Sequence, residues 1–229
     1  GSMQQGDGTY YGATGGGACS YDPSPTNLMV AAMNAPQWQN SQVCGTCVDV
    51  TGPKGTVTVR IVDLCPECKS GDLDLSEQAF TMIADKAAGR VRISWVPVAC
   101  AVSGPIGLHY KEGSNAYWMA VQVRNSRLPI KKIELQQNGN WVNLVQQSYN
   151  YYVADNPDPG PGPYTFRITA TNDQQITETG VPFQVAQTVT GTRSVNTEPS
   201  SSRLCTTRVP PSSSASRRMS SKTIVAPAA

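Results

Sequence analysis

The stretch CGTCVDVTGPKGTVTVRIVDLCPEC, residues 44–68, carries a CxxC pair at each end of an alternating apolar segment. Seventeen residues separate the two pairs, a spacing typical of sites in which four thiolates bind zinc. Structural disulfides and a redox-active thiol pair are the alternatives. The other cysteines of the chain bear on this choice.

Six cysteines lie within residues 6–103, because Cys19 and Cys100 accompany the two CxxC pairs. An even number in a glycine-rich, lysine-poor segment indicates an oxidised extracellular fold. A zinc site would leave two cysteines over, and a segment of this length can build a core without metal. No helix is predicted directly after either pair to lower a thiol pKa. Disulfides are therefore favoured, with zinc binding and redox chemistry as open alternatives.

The 229 residues suffice for two domains, and 39% hydrophobic with 15% charged residues is typical of a folded globular protein. No apolar run approaches the roughly 18 residues of a membrane-spanning helix, so no membrane span is predicted. The first residues, GSMQQGDG, are typical of a cloning remnant before a mature protein whose signal peptide has been removed.

The net charge of +2 is unevenly distributed along the chain. Residues 194–229 sum to +4 and are rich in serine and proline, which predicts a disordered or vector-derived tail without a role. The preceding residues sum to −2, and neither 6–103 nor 108–193 has the strong positive charge of a nucleic-acid-binding domain. We therefore expect an uncharged ligand.

Cysteine content divides the chain before this tail into two domains. Residues 6–103 hold six cysteines and residues 108–193 hold none. The glycines and proline around residues 104–107 are typical of a short linker. The sequence thus predicts a cysteine-rich first domain joined closely to a cysteine-free second domain.

The first domain is predicted to be mainly β with one helix. Apolar and polar residues alternate over 56–64 and 91–100, which predicts two strands. A helix is predicted between them, with Ser76 as its N-cap and Gly89 as its stop signal. The expected inward positions are Val57, Val59 and Ile61 in the strand, and Ala79, Met82, Ile83 and Ala87 in the helix.

The second domain is predicted to contain only strands. Alternating segments occur at 116–125, 164–172 and 176–185. Asn138-Gly139 lies between two apolar-alternating arms, which is a strong signal for a β-hairpin. Short strands without helical periodicity predict a small antiparallel sandwich.

Five segments, taken from both domains, carry a resemblance to a known family: GTYYGATGGGACSY, CGTCVDV, VDLCPECKSGDLDLSEQAF, YKEGSNAYWMAVQVRN and WVNLVQQSYNYYV. They resemble the cysteine-containing microbial expansins across residues 6 to about 193. The resemblance implies a mainly β protein in which a six-stranded double-psi β-barrel is followed by an immunoglobulin-like β-sandwich, a family-63 carbohydrate-binding module. The implied disulfides are Cys19–Cys44, Cys47–Cys100 and Cys65–Cys68, with Cys205 unpaired.

The same resemblance implies a function. It predicts a secreted, monomeric protein that binds cellulose and other plant wall polysaccharides and loosens the wall without hydrolysing it. No cofactor, metal, nucleic acid or membrane is expected as a partner. Two other functions remain open: a slow endoglucanase or lytic transglycosylase acting through Asp74, and a pure carbohydrate-binding or barwin-like defence protein.

Acidic residues that could face one groove cluster within twelve positions of the first domain: Asp63, Glu67, Asp72 and Asp74. Such clustering is also typical of a solvated acidic loop. The resemblance implies that Asp74 occupies the acid position shared with family-45 glycosidases and that Asp63 is its neighbour. It also implies that Thr9 and Tyr10 line the same groove. His109, the only histidine, lies after the linker, which excludes histidine-based catalysis from the first domain.

Hydrolysis with inversion needs a protonated carboxyl and a second carboxylate, about 6.5–9.5 Å apart, that activates water. In the T-x-Y-x-D run of the family-45 enzymes this base is the final aspartate. The corresponding run here, TYYGA, has Ala13 in that place, so the resemblance implies an acid without its base. Cys65 also stands where cysteine-free bacterial relatives have an aromatic residue, so any sugar contact of that ring is lost.

Aromatic side chains of the second domain are candidates for stacking on the flat, apolar faces of glucan rings. The resemblance implies a platform of Tyr117, Trp118 and Tyr149, with Lys111 as a polar contact beside it. Tyr117 replaces a tryptophan that is usual in bacterial members, which predicts weaker stacking. The alternative is that Trp118 alternates into the sandwich core with Ala120. The aromatic residues expected in the core are Trp141 and Tyr151.

Overall fold

The computed structural model describes residues 1–197. Its first six strands are β1 Gln4–Tyr11, β2 Val30–Asn34, β3 Cys47–Gly52, β4 Gly55–Cys65, β5 Leu73–Ser76 and β6 Val91–Val98. They close into a barrel in the order β1-β5-β2-β4-β3-β6. The neighbours β1/β5 and β2/β4 are parallel and the other neighbours are antiparallel. The predicted six-stranded barrel is confirmed.

Apolar side chains that alternate along the strands fill the barrel. Val57, Val59 and Ile61 of β4 are buried in its core, as their alternation predicts. Two segments of backbone lie in close contact at Gly71, where a side chain would lie 2.0 Å from the carbonyl oxygen of Gln5. The φ angle of Gly71 is also +89°, which other residues rarely adopt. Glycine is therefore required at this contact.

One α-helix, α1 Glu77–Ile83, packs against β1, β4 and β5. Ser76 caps it as predicted, because its Oγ accepts a hydrogen bond from the backbone N–H of Ala79 at 3.0 Å. The helix ends earlier than predicted, because the backbone of Ala84 is extended, with φ −158° and ψ 165°. The carbonyl of Ile83 accepts the N–H of Lys54 from the β3–β4 turn instead of a helical N–H. Within residues 1–197, no helix is long and apolar enough to span a membrane.

The predicted inward face of the helix is only partly right. Ala79 and Ile83 are buried, but Met82 is 59% exposed. Phe80 is fully buried instead, since the helix presents residues 79, 80 and 83 to the barrel. Ala87 is exposed, because the chain has left the helix and forms a separate 3-10 turn, Lys86–Ala88.

The next nine strands of the described chain are β7 Gly107–Tyr110, β8 Met119–Arg124, β9 Ile130–Gln137, β10 Asn140–Asn143, β11 Val145–Gln146, β12 Tyr152–Ala154, β13 Tyr164–Ala170, β14 Gln175–Val181 and β15 Thr188–Thr190. They form a five-stranded sheet in the order β11-β12-β8-β7-β15 and a four-stranded sheet in the order β10-β9-β13-β14. Both sheets contribute to one core, in which Tyr110 and Phe166 are fully buried. The predicted sandwich is confirmed.

The predicted hairpin is confirmed as well. Asn138 and Gly139 join β9 to β10 with φ angles of 50° and 77°. Two consecutive positive φ angles are the geometry that favours Asn-Gly in a two-residue turn, because their twist matches that of the paired strands.

Candidate functional site

The six cysteines of the barrel domain form three disulfides, Cys19–Cys44, Cys47–Cys100 and Cys65–Cys68. These are the pairings that the family resemblance implies. No thiolate of these six remains to bind zinc or to act as a redox nucleophile, so neither alternative fits the structure. Cys205 and most of the predicted tail lie outside the described residues.

A row of four residues crosses neighbouring strands on the outside of the barrel. Thr9 on β1 pairs with Asp74 on β5, and Asp74 pairs with Ala32 on β2. Ala32 in turn pairs with Asp63 on β4. Two strand spacings therefore separate the two acids, about 10 Å between their Cα atoms. Ala32 between them is buried, with 3% of its surface exposed.

Asp74 is half-buried in this row and accepts a hydrogen bond from Thr9 Oγ1 at its Oδ1, over 2.8 Å. Burial raises the pKa of the Asp74 carboxyl above its ordinary value, and the Thr9 hydrogen bond opposes this shift. The negative charges of Glu67 and Asp63 raise it further. Asp74 therefore holds its proton to a higher pH than an exposed aspartate does.

Asp63 is fixed by backbone rather than by side chains. Its Oδ1 accepts hydrogen bonds from the N–H groups of Ala18 and Leu64, each at 2.8 Å. The loop before Ala18 lies directly against the carboxylate, since a side chain at Gly17 would come within 2.3 Å of Asp63 Cγ. The backbone thus fixes the orientation of the Asp63 carboxylate through two hydrogen bonds, whereas the Asp74 carboxyl accepts one hydrogen bond, from the Thr9 hydroxyl.

The two tyrosines after Thr9 lie on opposite faces of β1, because successive strand residues alternate. The Tyr10 ring packs on Phe80 of the helix at 4.8 Å between centroids, so it does not line the groove as expected. Tyr11 shares the outer face with Thr9. Burial raises the pKa of the Tyr11 hydroxyl, and the charges of Asp63 and Asp74 raise it further. Its hydroxyl is buried and bonds to no other group of residues 1–197.

Glu67 lies on the loop closed by the Cys65–Cys68 disulfide and is exposed to solvent. Together with Thr9 and Cys65 it lines a groove of about 700 Å³. Asp63 and Asp74 do not line this groove, so Thr9 is the member of the row that reaches it. Asp72 also lines this groove, but its carboxylate accepts backbone N–H groups from Asp7 and Lys69 at 2.8 and 3.0 Å. Asp72 is therefore a structural residue of the loop.

The far end of the groove carries an exposed cluster of three charged residues. Asp7 accepts hydrogen bonds from Arg92 and Arg90 at 2.8 and 3.2 Å. The hydrogen bond from Arg92, followed by that from Arg90, lowers the pKa of Asp7. Each arginine can also attract ligand oxygens, but this pairing with Asp7 reduces their free positive charge.

The predicted platform residues lie on the outer face of the five-stranded sheet. Trp118 and Tyr149 are half-buried and pack on a small cluster of their own, which consists of Ala120, Tyr151 and Val153. Trp118 does alternate with Ala120, but Met119 between them is the residue that enters the sandwich core. The core alternative for Trp118 is therefore wrong.

Tyr117 is 73% exposed and forms the outermost ring of the platform. Asn115 orients this turn, because its Oδ1 accepts the N–H groups of Tyr117 and Trp118 at 2.8 and 3.2 Å. The backbone N–H of Lys111 bonds to Ala120, which brings its half-exposed side chain beside the platform cluster. The four predicted residues thus share one surface of the sandwich.

Of the two aromatic residues expected in the core, Tyr151 is buried and Trp141 is only half-buried. Tyr151 is 3% exposed but belongs to the cluster beneath the platform, with its ring 6.1 Å from that of Tyr149. Trp141 is half-buried on the outside of the four-stranded sheet, so its expected core position is wrong. The Arg167 guanidinium lies over its ring at 4.5 Å from the centroid.

Comparison with known proteins gives the family. Residues 4–95 match a family described as lytic transglycolase. The chain is 34% identical over 182 residues to expansin-YoaJ of Bacillus subtilis, across 77% of this chain and 78% of that protein. A crystal structure of an expansin from Clavibacter michiganensis is 32% identical with a TM-score of 0.77, over 84% of this chain and 98% of that one.

A second crystal structure of the Clavibacter michiganensis expansin, in which one aspartate is replaced by asparagine, contains cellohexaose. It matches with a TM-score of 0.78 at 32% identity, again over 84% of this chain and 98% of that one. These similarities span the barrel and the sandwich together. On this evidence, the chain belongs to the expansin family.

Proposed function

We propose that this protein is a secreted, non-hydrolytic agent that binds cellulose and other plant wall polysaccharides and loosens the contacts between them. The observation that carries the proposal is its membership of the expansin family across both domains. The cellohexaose in the Clavibacter michiganensis structure supports a cellulose-type ligand. The protein acts as a monomer without cofactor, nucleic acid or membrane.

The sandwich, residues 108–193, is the proposed binding module, a family-63 carbohydrate-binding domain. Tyr117, Trp118 and Tyr149 stack on glucose rings, since each ring face excludes water from an apolar sugar face without requiring charge. Lys111 adds a hydrogen bond to a sugar hydroxyl. Several such weak contacts hold the protein on a flat polymer surface.

The barrel, residues 6–103, is the proposed loosening domain. Thr9 and Glu67 form hydrogen bonds with sugar hydroxyls in the groove, and Asp63 and Asp74 do so in the row beside it. Hydrogen bonds to a charged carboxylate are roughly twice as strong as neutral ones, so the acids compete with the bonds between neighbouring chains. The protein then opens junctions between polymers by replacing one set of weak contacts with another.

The absence of hydrolysis follows from the proposed roles of the carboxylates. A methyl group at Ala13 cannot activate water where the family-45 enzymes have their base. The position of the family-45 base therefore carries no carboxylate to pair with Asp74.

A wall-extension assay and a reducing-sugar assay on the same sample test this function. Isolated plant walls clamped under constant load should lengthen when the protein is added. The bathing solution should show no new reducing ends. If the walls lengthened only when new reducing ends were released, the protein would be a hydrolase and this proposal would be rejected.

The raised pKa of Asp74 favours one second candidate, a slow lytic activity in which this carboxyl donates its proton to a glycosidic oxygen. The match of residues 4–95 to the lytic transglycolase family supports the same idea. Lytic cleavage leaves an anhydro-sugar at the new end instead of a reducing end. Mass spectrometry of the soluble products after incubation with cellulose or with peptidoglycan would detect it.

A further inference from the structure

The loop that carries Tyr149 belongs to the sandwich but is bonded to the barrel. We name residues 147–150, between β11 and β12, the Tyr149 loop. Ser41 Oγ donates to the carbonyl of Gln147 at 2.7 Å and accepts the N–H of Asn150 at 3.0 Å. Ser20 Oγ donates to the carbonyl of Tyr149 itself at 2.8 Å. Two barrel serines thus hold the backbone on both sides of the platform ring.

The barrel segments that supply these serines are tied to each other. Ser20 directly follows Cys19, and the Cys19–Cys44 disulfide joins that segment to the one containing Ser41. The carbonyl of Cys19 also accepts the side-chain amides of Asn150 and Gln122, both at 3.0 Å. Ser41 is 1% exposed, so its hydrogen bonds are shielded from water and hold their geometry tightly.

The same barrel segment also reaches the groove. Ala18 lies two residues before Ser20, and its N–H bonds to the carboxylate of Asp63. One short stretch of chain, residues 18–20, therefore contacts a groove acid at one end and the backbone of a platform ring at the other. Any shift of this stretch changes the position of Tyr149 relative to Asp63.

We infer that Ser20 and Ser41 are positioning residues that place the Tyr149 ring in register with the barrel groove, so that one glucan chain contacts both. The inference rests on the proposed function, because it assigns Tyr149 to the platform. Neither serine needs to contact the polysaccharide. Their contribution to binding acts through Tyr149 alone.

A double-mutant cycle on cellulose affinity tests this inference in the full chain. Ser20→Ala and Ser41→Ala are combined, first with Tyr149 present and then with Tyr149→Ala, and binding to microcrystalline cellulose is measured. With Tyr149 present, the loss of the serine hydroxyls should weaken binding about three- to tenfold. In the Tyr149→Ala protein the same change should have no further effect on binding.

Two controls separate positioning from general destabilisation. Ser24→Ala removes a similar hydroxyl bond, from Ser24 Oγ to the carbonyl of Asn27, within a barrel loop and should leave binding unchanged. Ser41→Gly removes the same hydroxyl but suits the φ angle of 67° at this position, so it should weaken binding as Ser41→Ala does. Thermal unfolding should show that the serine substitutions lower the melting temperature equally in both backgrounds, unlike their effect on binding.

Each outcome decides the inference. Equal losses of affinity with and without Tyr149 would mean that the serines act on the whole fold, and the positioning role would be rejected while the platform stands. Unchanged affinity after loss of both hydroxyls would reject it too. If Tyr149→Ala alone bound cellulose normally, Tyr149 would leave the proposed platform, and the inference would fail with that part of the proposed function.

Discussion

The barrel groove and the sandwich platform differ in the physical basis of the contacts they offer. The groove and the row beside it present carboxylates, among which Asp74 of the row is half-buried and bonded to Thr9. The platform presents ring faces, among which Tyr117 is 73% exposed and bears no charge. Contacts in the groove therefore depend on protonation and hydrogen-bond geometry, whereas contacts on the platform depend on apolar area.

Because their contacts differ in kind, the two regions can be separated by experiment. A change that removes a charge from the groove and keeps its shape should alter the loosening step and spare adhesion. A change that removes apolar area from the platform should weaken adhesion, and the loosening step should weaken with it. Under the proposed function, the groove acts only where the platform holds the protein on the polymer.

The largest effect is expected from Asp74→Asn, which keeps the size of the side chain and its acceptor for Thr9 but removes the ionisable group. Wall extension under load should be abolished, because an amide neither donates a carboxylic proton nor accepts with a full charge. Binding to microcrystalline cellulose should match that of the unsubstituted protein. Full wall extension by this variant would reduce Asp74 to a structural residue.

The next effect is expected from Trp118→Ala. Loss of one stacking ring should cost about 1–3 kcal/mol of cellulose affinity, if stacking on sugars is similar to stacking on nucleic-acid bases. Trp141→Ala is the matched control, because Trp141 stacks on Arg167 at the opposite sheet and should not change affinity. A cellulose pull-down compares the two, and equal losses would contradict the assignment of the platform to one sheet.

A smaller effect is expected from Thr9→Val, which keeps the shape of the side chain but removes the hydroxyl that bonds to Asp74. The rate of wall extension should fall about two- to tenfold, since Thr9 lines the groove and the variant loses one hydrogen bond there. Tyr11→Phe should leave the rate unchanged, because the Tyr11 hydroxyl is buried and bonds to no other group of residues 1–197. An equal loss of rate in the two variants would show that the polysaccharide reaches the Tyr11 hydroxyl.

The smallest effects concern stability. Ionisation of Glu134 should raise the free energy of unfolding, whereas ionisation of Asp74 should lower it. Arg167 donates two hydrogen bonds to the buried Glu134 and lowers the pKa of Glu134 from 4.5 to about 2. The ionised group thus stabilises the fold above pH 4.5, and this contribution is lost as the pH falls towards 2. Glu134→Gln should therefore lower the free energy of unfolding at pH 7. The difference between the variant and the unsubstituted protein should become smaller as the pH falls below 4.5.

Asp74 provides the opposite case, because burial raises its pKa in the folded state. Its ionised form is disfavoured by folding, so its presence costs stability once the pH rises through the folded pKa. Asp74→Asn should unfold at a slightly higher temperature than the unsubstituted protein at pH 7. The two should coincide below pH 3.8, the ordinary aspartate value. Thermal unfolding at several pH values checks both predictions. If Glu134→Gln and Asp74→Asn both raised, or both lowered, the melting temperature at pH 7, one of the two pKa shifts would be wrong.

Much of the candidate site could be predicted from sequence, because contiguous family motifs identify Thr9, Asp63 and Asp74 without knowledge of the fold. The prediction that failed concerns the face of β1 on which a tyrosine side chain lies. Tyr10 and Tyr11 are neighbours of the same type, and alternation states only that they face opposite sides. Which of them faces the groove depends on where α1 packs, and that packing involves residues about seventy positions away.

The strands at 56–64 and 91–100, the Asn138-Gly139 hairpin and the family can be predicted from sequence, since local periodicity, turn chemistry and contiguous motifs carry them. The fold was needed to show that Trp118 lies outside the sandwich core, that Arg167 lies over Trp141, and that Ser20 and Ser41 hold the Tyr149 loop. Both faces of a β-sheet can bury aromatic rings. The face that becomes a core is set by the sheet or domain that packs against it, and no short stretch of sequence records that partner.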